Sequence, residues 1–337
     1  MRFKNWMVVL VAPLFVAGCD KHSDEEYHQH ETLPVSREKI ESRSELVFPL
    51  PQVSGDNLGL TRLGYRLFND PKLSLNGQIS CNSCHDLLTT GADPRPVSLG
   101  VGGVGSRNSP TVFNVSLNSR FFWDGRANSL ESQIDGPIHN PVEMATTWER
   151  IEHYLKSSKE YQTLFEAAGI EDIGESSVKE ALSHFQKQLI TPPSRFDQYL
   201  MGQDDALNEN EISGWNQFNS RGCILCHQGP NIGGSLYQKF GYYVDRQITS
   251  DIGREAITGD KLDRAVFRVP SLRNVTNTAP YFHDGTVPDI NSAVYIMGKV
   301  QLGQELDEGS IEQITAFLTS LSTSRPVILE ELESENR

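Results

Sequence analysis

The chain has 337 residues, 37% of them hydrophobic, with 44 acidic against 30 basic side chains and a formal net charge of −14 at neutral pH. Such a surface excludes nucleic acid as a natural partner and favours a basic protein, in an association that weakens as salt rises. The apolar share is enough for packed cores, and the length beyond the N-terminal segment fits two domains of ordinary size.

At the N-terminus, Arg2 and Lys4 precede an apolar run from Trp6 to Val16, too short to span a bilayer comfortably. The run leads into Val16-Ala17-Gly18-Cys19, which looks like a bacterial lipoprotein signal cleaved before Cys19. Residues 1–18 are then removed, Cys19 carries the lipid, and the loss of two positive charges takes the formal balance from −14 to −16. An ordinary signal peptide with an incidental cysteine is the alternative. Asp20, next to the lipidated residue, resembles a retention signal for the inner membrane. Residues 19–47 are polar and read as a flexible acidic tether. His22, His28 and His30 within it fit solvated linker residues better than a metal tract.

The body reads as helical. Leu60, Leu63, Gly64 and Leu67 follow the i, i+3, i+4, i+7 template, and Pro71 ends that helix. Ser177 and Glu180 read as a capping box ahead of Val178, Ala181, Leu182, Phe185 and Leu189. Asn208 and Glu211 open a further helix carrying Ile212, Trp215 and Phe218. Ile311, Ile314, Leu318 and Leu321 make the last one, stopped before Pro326. Strand signals are scarce, and loops rich in Gly and Pro separate the helices.

The chain has five cysteines, and four of them fall into two copies of C-x-x-C-H: Cys81-Asn82-Ser83-Cys84-His85 and Cys223-Ile224-Leu225-Cys226-His227. In this motif each pair of thiols adds across the two vinyl groups of a porphyrin, and His85 or His227 is placed to ligate the iron. A zinc site would need the pairs to converge on one metal, and a thioredoxin-like pair needs no following His. The chain therefore carries two covalently attached c-type haems. Apart from this pair, no internal repeat is evident.

Between and around the motifs stand Arg107-Asn108-Ser109-Pro110-Thr111, Phe122-Trp123-Asp124-Gly125-Arg126, Pro141-Val142-Glu143-Met144, Leu189-Ile190-Thr191-Pro192, Phe196-Asp197-Gln198-Tyr199-Leu200, Phe267-Arg268-Val269-Pro270-Ser271-Leu272-Arg273-Asn274 and Ala279-Pro280-Tyr281-Phe282-His283-Asp284-Gly285. In this order, from about residue 48 to 325, the chain resembles the bacterial di-haem cytochrome c peroxidase family, which includes the MauG-like enzymes. The resemblance implies a mostly α fold of two cytochrome c-like haem domains packed face to face, with long loops. Residues 48–193 would form the N-terminal peroxidatic haem domain and 194–325 the C-terminal electron-transfer domain, with 326–337 as an acidic tail.

The resemblance also implies roles. Met297, the only methionine downstream of His227, matches the second axial ligand of the C-terminal haem, where a thioether raises the potential; His283 is the competing ligand. Glu143 matches the distal carboxylate that moves a proton between the peroxide oxygens, Gln133 a neighbouring distal amide, and Trp123 the aromatic relay between the haems. Asn108, with the carbonyls of Thr278 and Pro280, matches an interdomain calcium site, whose oxygen donors suit a hard cation. In many members a His after the first motif blocks the resting peroxidatic iron. Here Val101 stands in its place, and no His, Met, Lys, Tyr or Cys occurs from Asp86 to Ile138. The first haem is thus expected to rest open or water-bound, with His139 as the first ligand beyond the gap.

The expected activity is reduction of hydrogen peroxide to water in the periplasm, with electrons from a small basic c-type cytochrome or a cupredoxin. The protein would be held to the membrane by its lipid anchor, and a homodimer is left open. Two other readings are a MauG-like enzyme oxidising residues of a partner protein and a non-catalytic di-haem electron carrier. The missing blocking His favours the first of these, while Met297 disfavours it.

Overall fold

The computed structural model describes residues 43–52, 57–244 and 249–335; Cys19 and the histidines of the expected tether lie outside them. The helices are α1 (Leu58–Asn69), α2 (Leu130–His139), α3 (Trp148–Ser157), α4 (Lys159–Ala167), α5 (Glu175–Lys187), α6 (Arg195–Leu200), α7 (Glu209–Ser220), α8 (Glu255–Thr258), α9 (Ile290–Ile296), α10 (Glu308–Ser320) and α11 (Ile328–Glu335). Two short antiparallel ribbons complete the regular structure, β1 (Leu99–Gly100) with β2 (Gly103–Val104) and β3 (Tyr237–Lys239) with β4 (Val266–Arg268). Among the described residues no helix is long and apolar enough to cross a membrane.

Two hydrophobic cores organise these elements. The first gathers the apolar stripe of α1, residues of α3, α4 and α5, and the loop after the first C-x-x-C-H motif. In α1 the Asn57 side chain accepts the Leu60 N–H at 3.0 Å, and the helix ends at Asp70, extended because Pro71 follows. Leu60, Leu63 and Leu67 face inward, each stabilising the fold by about 1.5–3 kcal/mol through burial. The second core is built from α6, α7, α9 and α10 in the same manner. There α7 has the expected box, Asn208 accepting from the Glu211 N–H and the Glu211 carboxylate accepting from the Asn208 N–H, both at 3.0 Å.

Three features depart from the sequence reading. Helix α5 begins at Glu175, not after Ser177: the Ser177 hydroxyl accepts from the Gly174 N–H and donates to the Asp172 carbonyl, which places Ser177 inside the first turn. Val47, the last residue of the expected tether, is fully buried in the second core. The acidic C-terminal segment folds as α11, whose Leu329 and Leu332 are buried in the first core while Glu330 and Glu331 are exposed.

The structure also contains an internal repeat that the sequence reading did not find. Helix α1 packs on α5 where Gly64 meets the Ala181 carbonyl, and α7 packs on α10 where Gly214 meets the Gln313 carbonyl. A Cβ at Gly64 would lie 2.5 Å from Phe185 Cβ, and one at Gly214 2.9 Å from Phe317 Cβ, so both crossings need glycine. Asn114 and Asn274 each adopt left-handed φ (60° and 58°) ahead of a short 3-10 turn. Phe122 and Phe282 do the same (64° and 69°) inside matching turns closed by the bridges Phe121–Ala127 and Tyr281–Val287.

Candidate haem sites and the seam between them

At the first motif, Cys81–Ser83 forms a 3-10 turn closed by the Ser80 N–H donating to Ser83 Oγ and by the Cys84 and His85 N–H groups donating to the Cys81 carbonyl. His85 Nδ1 lies 3.0 Å from the Pro110 carbonyl, which can only accept, so Nδ1 carries the proton and Nε2 keeps its lone pair. The second motif repeats this: Cys223–Leu225 is a 3-10 turn directly after α7, and His227 Nδ1 donates to the Ile232 carbonyl at 3.3 Å. Each imidazole also packs against a core phenylalanine, Phe68 at 6.5 Å and Phe218 at 6.2 Å between ring centres. Burial pulls both imidazoles down, His227 to about 4, and pushes the Cys81 and Cys223 thiols up, to about 12 and 11. Neutral imidazoles with a free Nε2 and neighbouring unpaired thiols are the donor set that a covalently attached haem requires.

Beside the second motif lies an apolar cavity of about 200 Å³ lined by Cys223, Cys226, His227, Phe218, Val294 and Met297, among others. Met297 opens a π-helical turn, Met297–Gln301, that continues α9 and alters its register at the cavity wall. An imidazole and a thioether in one apolar cavity fit a six-coordinate haem iron. His283 also reaches this cavity, but its ring stacks on Phe267 at 4.3 Å and its Nε2 is 2.8 Å from Thr249 Oγ1. Those contacts occupy the ring as a packing element.

Around the first motif, the β1–β2 hairpin carries Val101 at its tip. The Val101 N–H donates to the Glu143 carbonyl at 2.7 Å, which docks the hairpin on the loop that follows α2. The Glu143 carboxylate accepts from Asn140 Nδ2 at 2.6 Å, and Asn140 Oδ1 in turn accepts from the Val142 N–H at 3.0 Å. Burial raises the Glu143 pKa; the Asn140 bond and the Arg126 charge oppose it. Burial likewise raises the Cys84 thiol, and the Asp93 and Glu143 carboxylates add to that effect, so Glu143 sits within electrostatic reach of the first motif. Gln133 lies half-buried on α2, and no hydrogen bond among the described residues joins it to Glu143. His139 is exposed at the end of α2, with Nδ1 3.3 Å from the Thr146 carbonyl and its ring against Trp148. Asn140 was missed in the sequence; its position three residues before Glu143, in an Asx turn, was the available signal.

The two repeats meet in a seam. Here the Asn108 N–H donates to the His283 carbonyl at 2.8 Å and the Arg268 N–H donates to the Trp123 carbonyl at 2.7 Å, a reciprocal pair. Trp123 is 9% exposed, donates Nε1–H to the Asn108 carbonyl at 2.9 Å, and meets His283 edge-on at 6.3 Å. Arg107 bridges the seam with two carboxylates, Asp124 at 2.6 Å and Asp251 at 2.7 Å. A smaller, more polar cavity of about 80 Å³ is lined by Asn108, Thr278, Pro280 and Arg268, among others. The Asn108 amide donates to the Arg95 and Pro96 carbonyls, both at 3.3 Å. Arg268 walls both cavities, and burial pulls its pKa down to about 10.

Two C-x-x-C-H turns, each with a buried imidazole held by a backbone carbonyl, define a di-haem c-type cytochrome. A family model described as di-haem cytochrome c peroxidase matches residues 59–205. The cytochrome c551 peroxidase of Nitrosomonas europaea is 41% identical over 290 residues, covering 85% of this chain and 87% of that protein. The cytochrome c551 peroxidase of Pseudomonas aeruginosa is 44% identical over 272 residues, covering 78% and 79%. Among solved structures, a MauG-like protein associated with microbial copper homeostasis superposes with a TM-score of 0.73 at 28% identity, over 82% of this chain and 94% of that one. The chain belongs to the di-haem cytochrome c peroxidase family, and with it come two c-type haems.

Proposed function

We propose that this protein reduces hydrogen peroxide to water in the periplasm, taking two electrons and two protons per peroxide and releasing two waters. The observation that carries the reading is the half-buried Glu143 carboxylate beside the first motif, held by Asn140. When bound, the haems would supply the redox chemistry that links a reduced small cytochrome to peroxide. His85 and His227 would each offer Nε2 to an iron, and Met297 its sulfur to the second. Glu143 accepts the proton of the inner peroxide oxygen and returns one to the leaving oxygen, which its raised pKa suits. Gln133, on the neighbouring helix, orients the peroxide. Trp123 joins the two halves as the aromatic relay, a role supported by its burial and its contact with His283.

Asn108 with the Thr278 and Pro280 carbonyls would hold a calcium ion, a reading supported by the small cavity that these three residues line. Cys19 would carry a lipid anchoring the chain, through the residues that follow it, to the inner membrane. Val101 leaves the first haem open, so the oxidised protein reacts with peroxide without prior reduction. A MauG-like reaction on a partner protein is the second reading, favoured by that open site; the greater identity to the cytochrome c551 peroxidases weighs against it.

Glu143→Gln tests the proposal: it keeps the shape and removes the proton carrier, so peroxide reduction slows by roughly a hundredfold or more with both haems retained. Undiminished turnover would overturn the role of Glu143. The spectrum of the oxidised protein should show a high-spin first haem; two low-spin haems would refute the open site and favour a simple electron carrier.

A further inference from the structure

Arg268, the last residue of β4, is 5% exposed. Its Nε–H donates to the Phe122 carbonyl at 3.3 Å, whereas Nη1 is buried with no hydrogen-bond partner. No carboxylate among the described residues forms an ion pair with it. The fold does match its other fully buried arginine, Arg273, and the half-buried Arg107. Arg273, five residues further on and equally buried, donates to Asp197 at 2.7 Å and to the Pro230 and Phe48 carbonyls. Arg107 has Asp124 and Asp251. A buried guanidinium left without an anion is strongly unfavourable, so its counter-charge must come from whatever fills the space it faces.

Arg268 walls two spaces, the small polar cavity and the apolar one that contains His227 and Met297; Arg221, also in the apolar wall, is already bonded to Gln217, Gln304 and Ser310. The cavity that His227 and Met297 share is apolar apart from a few side chains, and Arg268 stands in its wall. A c-type haem carries two propionate carboxylates on an otherwise apolar ring, which is the charge pattern this cavity lacks. The repeat sharpens the argument. Arg268 and Asn108 make equivalent backbone bonds across the seam, yet one is a cation and the other a neutral amide. The backbone is duplicated, and the charge belongs to one half only.

We propose that Arg268 is a positioning residue whose guanidinium pairs with a propionate of the C-terminal haem. The pair would fix the ring in the cavity and raise that haem's potential relative to its partner, because a buried cation favours the less positive, reduced iron. The inference rests on the second haem lying between His227 and Met297. The thioether-to-iron absorption band reports that premise separately and should persist in every Arg268 variant.

The test is a spectroelectrochemical titration of both haems in the intact protein, with Arg268→Gln and Arg268→Lys. Arg268→Gln should shift the second haem's reduction equilibrium tenfold or more toward the oxidised form, 59 mV for one electron, and move the first haem less than threefold. Arg268→Lys, which keeps the charge, should recover most of the shift. A second-haem change below threefold in Arg268→Gln, or an equal loss in Arg268→Lys, overturns the pairing. The unaltered protein supplies a readout that needs no variant to fold. The propionate bending band of the second haem in resonance Raman should move on transfer to D2O, as an N–H donor to that carboxylate requires, and an unmoved band sinks the proposal. Chloride-dependent movement of the potential at constant ionic strength would also overturn it, by assigning the counter-charge to a free anion.

Discussion

Glu143 is held by the Asn140 side chain, a contact that opposes the rise burial imposes on its proton affinity. Burial raises its pKa and the Asn140 N–H, which favours the ionised form, pulls it back. In the proposed role the carboxylate must be ionised to accept the peroxide proton, so activity should fall as pH drops through the Glu143 pKa. Asn140→Ala removes the lowering contribution and leaves burial unopposed by it. The acid limb of the kcat/KM profile should therefore move to higher pH; a limb that stays in place or moves down would detach Asn140 from Glu143. A second residue-scale expectation concerns Val101, whose N–H fixes the hairpin tip to the Glu143 carbonyl. Val101→His should give a low-spin resting form that reacts slowly with peroxide until the second haem is reduced, visible by stopped-flow mixing with and without a reductant.

At the scale of elements, the two glycine crossings bear the helix pairs that support the motifs. Gly214→Ala forces a methyl into the Gln313 carbonyl and the Phe317 side chain, so α7 and α10 must separate. Overpacking of this kind costs about 1–3 kcal/mol, measurable by denaturant titration of the holoprotein, with the second haem's environment disturbed before the first. Much at this scale was legible in the sequence. The 3.6-residue stripe gave α1, the Asn208–Glu211 box gave the start of α7, and the C-x-x-C-H spacing gave both turns with their histidines. The repeat was not legible, because the paired cysteines, glycines and asparagines of the two halves stand at different separations and no single period runs through the chain. Helix α11 was hidden for another reason: two leucines among four glutamates are too short a stripe to distinguish a packed helix from a solvated tail.

For the molecule as a whole, the net charge of −14 governs encounters with its electron donor. With a small basic cytochrome as donor, kcat/KM should fall by roughly tenfold between low and moderate ionic strength, while the rate of peroxide reduction at saturating donor stays level. A salt-independent kcat/KM would assign donor recognition to uncharged contacts. The ends of the described chain are crossed. The segment around Val47 lies in the second core, where the Leu46 carbonyl accepts from Gly229 and the Phe48 carbonyl from Arg273, while α11 lies in the first core, where Arg325 reaches the Leu87 carbonyl. Each half is thus closed by a piece of chain belonging to the other. Neither half therefore carries all of its own cover, and a cut between them would leave the first core without Leu329 and Leu332 and the second without Val47.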